Sequence, residues 1–191
     1  MVTAALTLSA ATLIPVSSVQ AYCASPALEW NSTFLSVRSA SSVPQSWDPT
    51  MAAAAGQWNG ISGASWTVSW KNYDFIGPTQ ATVLRQSTAP PGFGGAPAVT
   101  DLRYSGSTIT GGNIYLSTAF TWNTSGTMNQ TNKQADVRTI MVHEFGHEVY
   151  LNHPSSCGGM TTDEVNSAMN PNWRQKWYTN ADDKAGTAAR K

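Results

Sequence analysis

The amino-acid sequence predicts one α+β domain in which helices pack against a mixed β-sheet. Two observations lead to this expectation. First, the predicted elements run in the order strand, helix, several strands and a second long helix, with no internal repeat or linker. Second, 191 residues with 41% hydrophobic side chains are enough to form one buried core.

The strand predictions rest on apolar residues in short or alternating runs. Trp66, Val68 and Trp70 alternate with small polar residues, which is typical of a half-buried strand. Two glycines at 111–112 predict a turn before the last strand, and residues 87–97, rich in Pro and Gly, predict a loop. The predicted strands are residues 33–39, 65–71, 80–85, 99–104 and 113–118.

Two helices are predicted from end signals and helical spacing. Asp48 and Pro49 are an N-cap residue and a proline at the first helical position, and Gly60 ends the helix. The second helix is expected to begin at Thr131 and Gln134, which have capping-box spacing. The apolar positions are Met51, Ala54, Ala55 and Trp58 in the first helix, and Val137, Ile140, Met141, Phe145 and Val149 in the second.

All three histidines of the chain lie close together in and after the second helix. His143 and His147 are four residues apart, so a helix places both imidazoles on one face. A continued helix would carry His153 about 80° away from that face. The helix must therefore break before His153 if all three bind one ion, and Pro154 is consistent with a break.

The segment from His143 to His153 reads H-E-x-x-H-x-x-x-x-x-H, which predicts a catalytic zinc site with three imidazole ligands. Such a site leaves a coordination position for water, whose pKa is lowered toward neutrality by zinc. Glu144 is the candidate general base, which takes a proton from this water and delivers it to the leaving amine.

Other interpretations of the histidines stay open from the sequence. A closed structural site would need a fourth ligand, for which Cys157 is the candidate. A zinc-containing module without catalysis would capture peptides or glycans, and a zinc hydrolase could act on an amide outside peptides. A protein without metal would carry the histidines as ordinary surface or core residues.

The net charge of the chain indicates which partners it can bind. The formal net charge is zero and there is no basic run, which argues against nucleic acid as the main partner.

Residues 1–21 are predicted to be a signal peptide, because a short apolar run ends at the small-residue cleavage site Val19-Gln20-Ala21. Residues 22–191 are then the catalytic domain, expected to be secreted, extracellular, monomeric and without a stable membrane anchor. The alternative is a buried N-terminal strand.

Cys23 and Cys157 are the two cysteines of the chain. In an exported protein an even count predicts a disulfide bond, which would join the mature N-terminus to the loop after His153. The alternative is a free Cys23 thiol that binds the zinc.

The motif from His143 to His153 resembles that of the metzincins, secreted zinc endopeptidases with the pattern HExxHxxGxxH and a downstream methionine turn. The match holds at the three histidines and Glu144. Residues Ser167-Ala168-Met169-Asn170-Pro171 resemble the methionine turn, and their Met-x-Pro form is similar to the matrixin branch. The resemblance implies a mixed, mostly five-stranded sheet and two helices above a zinc cleft, with the turn and a C-terminal helix below.

The resemblance also implies roles for individual residues. Met169 supports the zinc histidines, Asp182 and Asp183 tie the C-terminal helix to the methionine turn, and residues 113–118 are the edge strand that pairs with a protein or peptide substrate. One catalytic Zn²⁺ is implied, and Ca²⁺ binding through oxygen ligands stays open, although no EF-hand-like spacing is present. The expected substrate-binding residues are Ile114, Tyr115, Leu116, Asn170, Pro171, Asn172 and Trp173.

Tyr150 departs from the family pattern, because it occupies the position of the motif's glycine. If the chain needs a positive φ there, a tyrosine costs about 1–2 kcal/mol. Asn152 could absorb part of the turn instead. We expect this departure to affect activity more than metal binding.

Overall fold

The computed structural model describes residues 28–87, 95–158 and 160–190. Within these residues the chain forms a mixed α/β fold with a six-stranded sheet, a two-stranded sheet and four α-helices, which is compatible with the predicted α+β class. The strands are β1 (Glu29–Trp30), β2 (Phe34–Ser39), β3 (Thr67–Lys71), β4 (Ala81–Gln86), β5 (Ala98–Ser105), β6 (Thr108–Ser117), β7 (Thr121–Asn123) and β8 (Gln134–Asp136). The helices are α1 (Asp48–Ala55), α2 (Val137–Glu148), α3 (Thr162–Asn166) and α4 (Ala181–Ala188).

The predicted signal peptide and the predicted Cys23–Cys157 disulfide bond lie outside the described residues, as does most of the loop predicted at residues 87–97. The described helices include none with the length and apolar character that a membrane span requires.

The large sheet is mostly parallel. Its strands follow the order β5, β6, β4, β2 and β3, and β1 pairs with the first residues of β6. All pairings are parallel except that of β5 with β6. Each predicted strand overlaps an observed one, because the apolar runs in the sequence are the buried positions of the sheet.

The predicted turn at residues 111–112 is wrong, because both glycines lie inside β6. The hairpin between β5 and β6 turns instead at Gly106, whose φ is 60°. A Cβ on Gly112 would lie 2.5 Å from a carboxylate oxygen of Glu148, and a Cβ on Gly111 would lie 2.5 Å from a guanidinium nitrogen of Arg103. These glycines therefore allow close packing and do not form a turn.

The assignment of residues 113–118 to the edge strand is also wrong. This segment belongs mainly to β6, which pairs with β5 on one side and with β4 on the other. Ile114 and Leu116 are fully buried in the core, and the Tyr115 hydroxyl accepts a hydrogen bond from Asn113. Within the described residues β5 pairs only with β6, so β5 is an edge strand of the sheet.

Helices α1 and α2 pack together beside the sheet. The fully buried Trp58 follows α1, and its indole nitrogen donates to the Val142 carbonyl of α2 at 3.0 Å. Helix α2 begins after Asp136, whose carboxylate accepts from the Thr139 amide at 2.8 Å. The predicted start at Thr131 and Gln134 is wrong, because residues 134–136 pair with β7 as a strand.

Candidate metal centre

Helix α2 and the turn after it bring the three histidines together. His143 and His147 lie on α2, which ends at Glu148, and His153 follows the turn. Tyr150 makes the turn itself with a φ of 65°, and the Leu151 amide donates to the Gly146 carbonyl at 2.9 Å. The predicted break of the helix is confirmed, and the left-handed residue is Tyr150, at the position of the motif's glycine.

The three imidazoles converge through their Nε2 atoms. The Nε2 atom of His143 lies 3.0 Å from that of His153 and 3.1 Å from that of His147, and the His147–His153 separation is 3.2 Å. A tetrahedral ion with metal–nitrogen bonds of zinc-like length spaces its ligands about 3.3 Å apart. The three histidines are therefore close enough together to bind one metal ion.

The other ring nitrogens fix the orientation of two imidazoles. Nδ1 of His143 lies 2.8 Å from the Ala168 carbonyl oxygen, and Nδ1 of His147 lies 2.7 Å from the Leu151 carbonyl oxygen. A carbonyl only accepts, so both Nδ1 atoms carry the proton and both Nε2 atoms present lone pairs. Lone pairs that face each other repel, and a shared cation removes this repulsion.

Burial keeps the three imidazoles neutral. It lowers the pKa of His147 to about 4 and the pKa of His143 well below its usual value, with a further contribution from the neighbouring histidines. The pKa of His153 is also lowered, mainly by burial. Neutral imidazole is the form that binds metal, so the group is ready to act as a ligand set near pH 7.

Glu144 is next to His143 in the chain, and its side chain is buried. Its carboxylate Oε2 accepts a hydrogen bond from the Thr100 hydroxyl of β5 at 2.6 Å. Burial raises the pKa of Glu144 to about 7, and the hydrogen bonds from Thr100 oppose this change. A carboxyl group with a pKa near 7 can both accept and donate a proton at neutral pH, as a general acid–base catalyst must.

The histidines and Glu144 open onto a cleft of about 630 Å³. One side of this cleft is formed by β5, including Val99, Thr100 and Leu102. The other side includes the four residues predicted there, Asn170, Pro171, Asn172 and Trp173. Ile114, Tyr115 and Leu116 are not among the described residues that line the cleft, because β5 separates their strand from it.

Residues 167–171, here called the methionine loop, close the site from the side of α4. Asp183 of α4 accepts hydrogen bonds from the Ser167 hydroxyl at 2.6 Å and from the Ala168 amide at 2.8 Å. Met169 is buried, and a Cβ on Gly146 of α2 would overlap its sulfur atom. The predicted tie between α4 and this loop is confirmed for Asp183.

Among the cleft residues that the sequence analysis did not predict, Thr100 and Lys176 bear most directly on chemistry. Thr100 contacts Glu144 across 44 positions of sequence, and no pattern in its own segment marks it as part of a site. Lys176 lines the cleft after the methionine loop. Its only signal in the sequence is its proximity to the residues predicted to wall the cleft.

Comparison with known proteins adds no family to these observations. No protein-family model matches the chain, and no characterised protein matches its sequence.

Proposed function

We propose that this protein is a secreted zinc-dependent endopeptidase that hydrolyses peptide bonds in extended polypeptides. The observation that carries the proposal is the convergence of three neutral imidazoles beside a buried general-base carboxyl in an open cleft. Secretion rests on the signal peptide predicted at residues 1–21.

Zinc fits the donor set best. Three imidazole nitrogens suit zinc, and a three-ligand set leaves a position for the reacting groups. When bound, zinc polarises the scissile carbonyl and makes water a better nucleophile. His143, His147 and His153 would hold it through Nε2, with two of the rings fixed by the Ala168 and Leu151 carbonyls.

Glu144 and Thr100 supply the proton chemistry of the proposed reaction. Glu144 takes a proton from the attacking water on one carboxylate oxygen and gives it to the leaving amine. Thr100 holds the other carboxylate oxygen, Oε2, through its hydroxyl. This contact fixes the direction in which the carboxylate points, so that the proton is taken and released at one place.

The edge strand and the methionine loop support an extended substrate. Strand β5 borders the cleft, and one of its edges has no strand partner among the described residues. An extended peptide can pair with such an edge through main-chain hydrogen bonds. Asn170 and Trp173 lie across the cleft, where a substrate side chain would pack. The resemblance of the motif and of Met169–Pro171 to matrixins favours the same arrangement.

The test is cleavage of an unfolded protein by the purified zinc-loaded chain, with and without a chelator. We expect chelator-sensitive cleavage by the natural protein. Glu144→Ala should lose about 10²- to 10⁴-fold in kcat, because it removes the general base, while it keeps zinc. Glu29→Ala is a matched control, since Glu29 is an exposed glutamate on β1.

The outcomes separate the proposal from its rivals. A folded, zinc-loaded protein that cleaves no polypeptide would contradict it and favour a zinc-containing binding module. Full activity in Glu144→Ala would contradict the assigned mechanism.

A further inference from the structure

Lys176 places a positive charge inside the cleft. Among the described residues that line the cleft, Glu144 is the one acidic residue, and Lys176 is the one basic residue apart from the histidines. Glu144 lies next to the metal ligands and belongs to the proposed chemistry. Lys176 has no part in that chemistry, so its charge is available for recognition of a substrate.

Two hydrogen bonds fix Lys176 against the walls of the cleft. Its main-chain amide donates to the Thr139 hydroxyl of α2 at 3.2 Å, one helical turn before His143. Its ammonium donates to the Asn170 carbonyl of the methionine loop. An ammonium carries three donors, and Asn170 is its one acceptor among the described residues. The remaining donors can bind a ligand.

Lys176 lies in the same cleft as the metal ligands. It lines this cleft together with the three histidines, and its main chain is hydrogen-bonded to Thr139 of the helix that carries His143. Burial lowers the pKa of Lys176 to about 8, while the charge of Asp183 raises it and the charge of Arg174 lowers it. The amine therefore stays mostly protonated at pH 7. The Asp183 carboxylate is hydrogen-bonded to Ser167 and Ala168 of the methionine loop.

Apart from Glu144, Lys176 and the three histidines, the described residues that line the cleft have apolar or neutral side chains. Met128, Ile140 and Trp173 are among them, and the Trp173 ring stacks on Phe120 with their centroids 5.8 Å apart. An ion pair is stronger in such a partly dehydrated setting than on an open surface. A substrate group of opposite charge would gain most from this position.

We propose that Lys176 selects substrates with a carboxylate group next to the scissile bond. The carboxylate is either the side chain of Asp or Glu or the C-terminus of the chain, and the same ammonium would bind both. This inference rests on the proposed peptide hydrolysis, and it names the substrate class of that site.

The first experiment compares peptides that differ only at the residues flanking the cleaved bond. One set carries Glu, Gln or Lys at these positions, and a second set ends there in a free acid or an amide. We expect kcat/KM to be about tenfold higher for the carboxylate member of each pair. The set that shows the preference identifies whether the carboxylate comes from a side chain or from the chain end.

Variants of Lys176 connect the preference to this residue. Lys176→Met keeps the apolar stem and should remove the preference while the Gln peptide is still cleaved, and Lys176→Arg should keep it. Lys184→Met is the control, because Lys184 is exposed on α4 and does not line the cleft. An unchanged preference in Lys176→Met would overturn the inference, as would equal cleavage of the Glu and Gln peptides by the natural protein.

Binding to the Glu144→Ala variant, measured by calorimetry with the same Glu and Gln peptides, separates recognition from hydrolysis. Tighter binding of the Glu peptide without cleavage by the natural protein would support the role of Lys176 and contradict the proposed protease. Cleavage of every peptide with equal binding would support the protease and overturn the selectivity. No binding and no cleavage would overturn both.

Discussion

The contact between Gly146 and Met169 provides a sharp test of how the site is packed. Gly146 lies on α2 between Glu144 and His147. A Cβ at this position would lie 2.7 Å and 2.9 Å from ring atoms of Trp58, and closer still to the sulfur of Met169. Gly146→Ala therefore introduces a methyl group where no space exists.

The magnitude follows from how little these neighbours can move. Trp58 is fully buried, and its indole nitrogen is hydrogen-bonded to Val142. Overpacking of a rigid core costs about 1–3 kcal/mol, and the fixed Trp58 ring argues for the upper end. Alanine in a helix is more favourable than glycine by about 1 kcal/mol. The expected net loss of stability is therefore about 2 kcal/mol.

Unfolding in urea, followed with a chelator present so that bound metal adds no stability, measures this loss. A loss of about 2 kcal/mol corresponds to a decrease of about 4–8 °C in Tm. Gly56→Ala is the matched control, because Gly56 has a φ of −60° and a Cβ added there would have no neighbouring atom within 4 Å. We expect that control to be as stable as the natural protein or up to about 1 kcal/mol more stable. Equal stability of the two alanine variants would refute the packing argument.

Three further predictions concern Thr100, Glu148 and Tyr150. Thr100→Val should lower kcat by about tenfold and leave the zinc affinity unchanged, because it removes the hydroxyl that holds Glu144. Thr100→Ser keeps the hydroxyl and should keep kcat. Equal kcat in the two variants would contradict this role of Thr100. Burial raises the pKa of Glu148 to about 8, so the free energy of unfolding, measured with urea, should fall as pH rises from about 4.5 to 8. In Glu148→Gln the free energy of unfolding should fall less over the same pH range. Tyr150→Gly relieves about 1 kcal/mol of backbone strain but loses the contact between the Tyr150 ring and the Arg190 guanidinium at 5.0 Å. Because these two effects oppose each other, the free energy of unfolding should stay within about 1 kcal/mol of the natural value. A larger loss would mean that the Tyr150 ring contributes more than its backbone costs.

The sign of the pH prediction follows from the two states of Glu148. The folded carboxyl keeps its proton up to about pH 8, because burial, and then the nearby Glu144, disfavour its charge. The unfolded carboxyl loses its proton near its ordinary value of about 4.5. Between these limits the unfolded chain binds fewer protons, so stability falls with rising pH. Both oxygens of Glu148 lack a hydrogen-bond partner among the described residues, which is consistent with a costly buried charge.

The local parts of the structure could be predicted from the sequence. The spacing of His143 and His147 requires only a helix, and the break before His153 follows from geometry and from Pro154. The strand positions follow from alternating or apolar runs such as Trp66 to Trp70, because burial on one face of a sheet repeats every second residue. These inferences need no knowledge of which elements are neighbours.

The arrangement of the strands could not be predicted in the same way. The edge position of β5 depends on pairings between segments that are far apart, and an interior strand can have the same local pattern as an edge strand. The glycines of β6 looked like a turn, because the sequence does not show that the Glu148 carboxyl lies against Gly112. The misplaced edge strand led to the expectation that Ile114 to Leu116 bind substrate, although these residues do not line the cleft, and it drew attention away from Thr100, which does.

Supports from several sides hold the three clustered histidines, and this explains why a strained residue is tolerated beside them. Trp30 donates to the Glu148 carbonyl at 2.6 Å and so fixes the last turn of α2, while Asp183 fixes the Ala168 segment whose carbonyl orients His143. The Leu151 carbonyl that orients His147 comes directly after Tyr150. The left-handed turn at Tyr150 thus places the acceptor that orients His147 and leads the chain back to His153. The strain of the turn is local, whereas the positions of two of the three imidazoles depend on it, so the turn persists without a glycine.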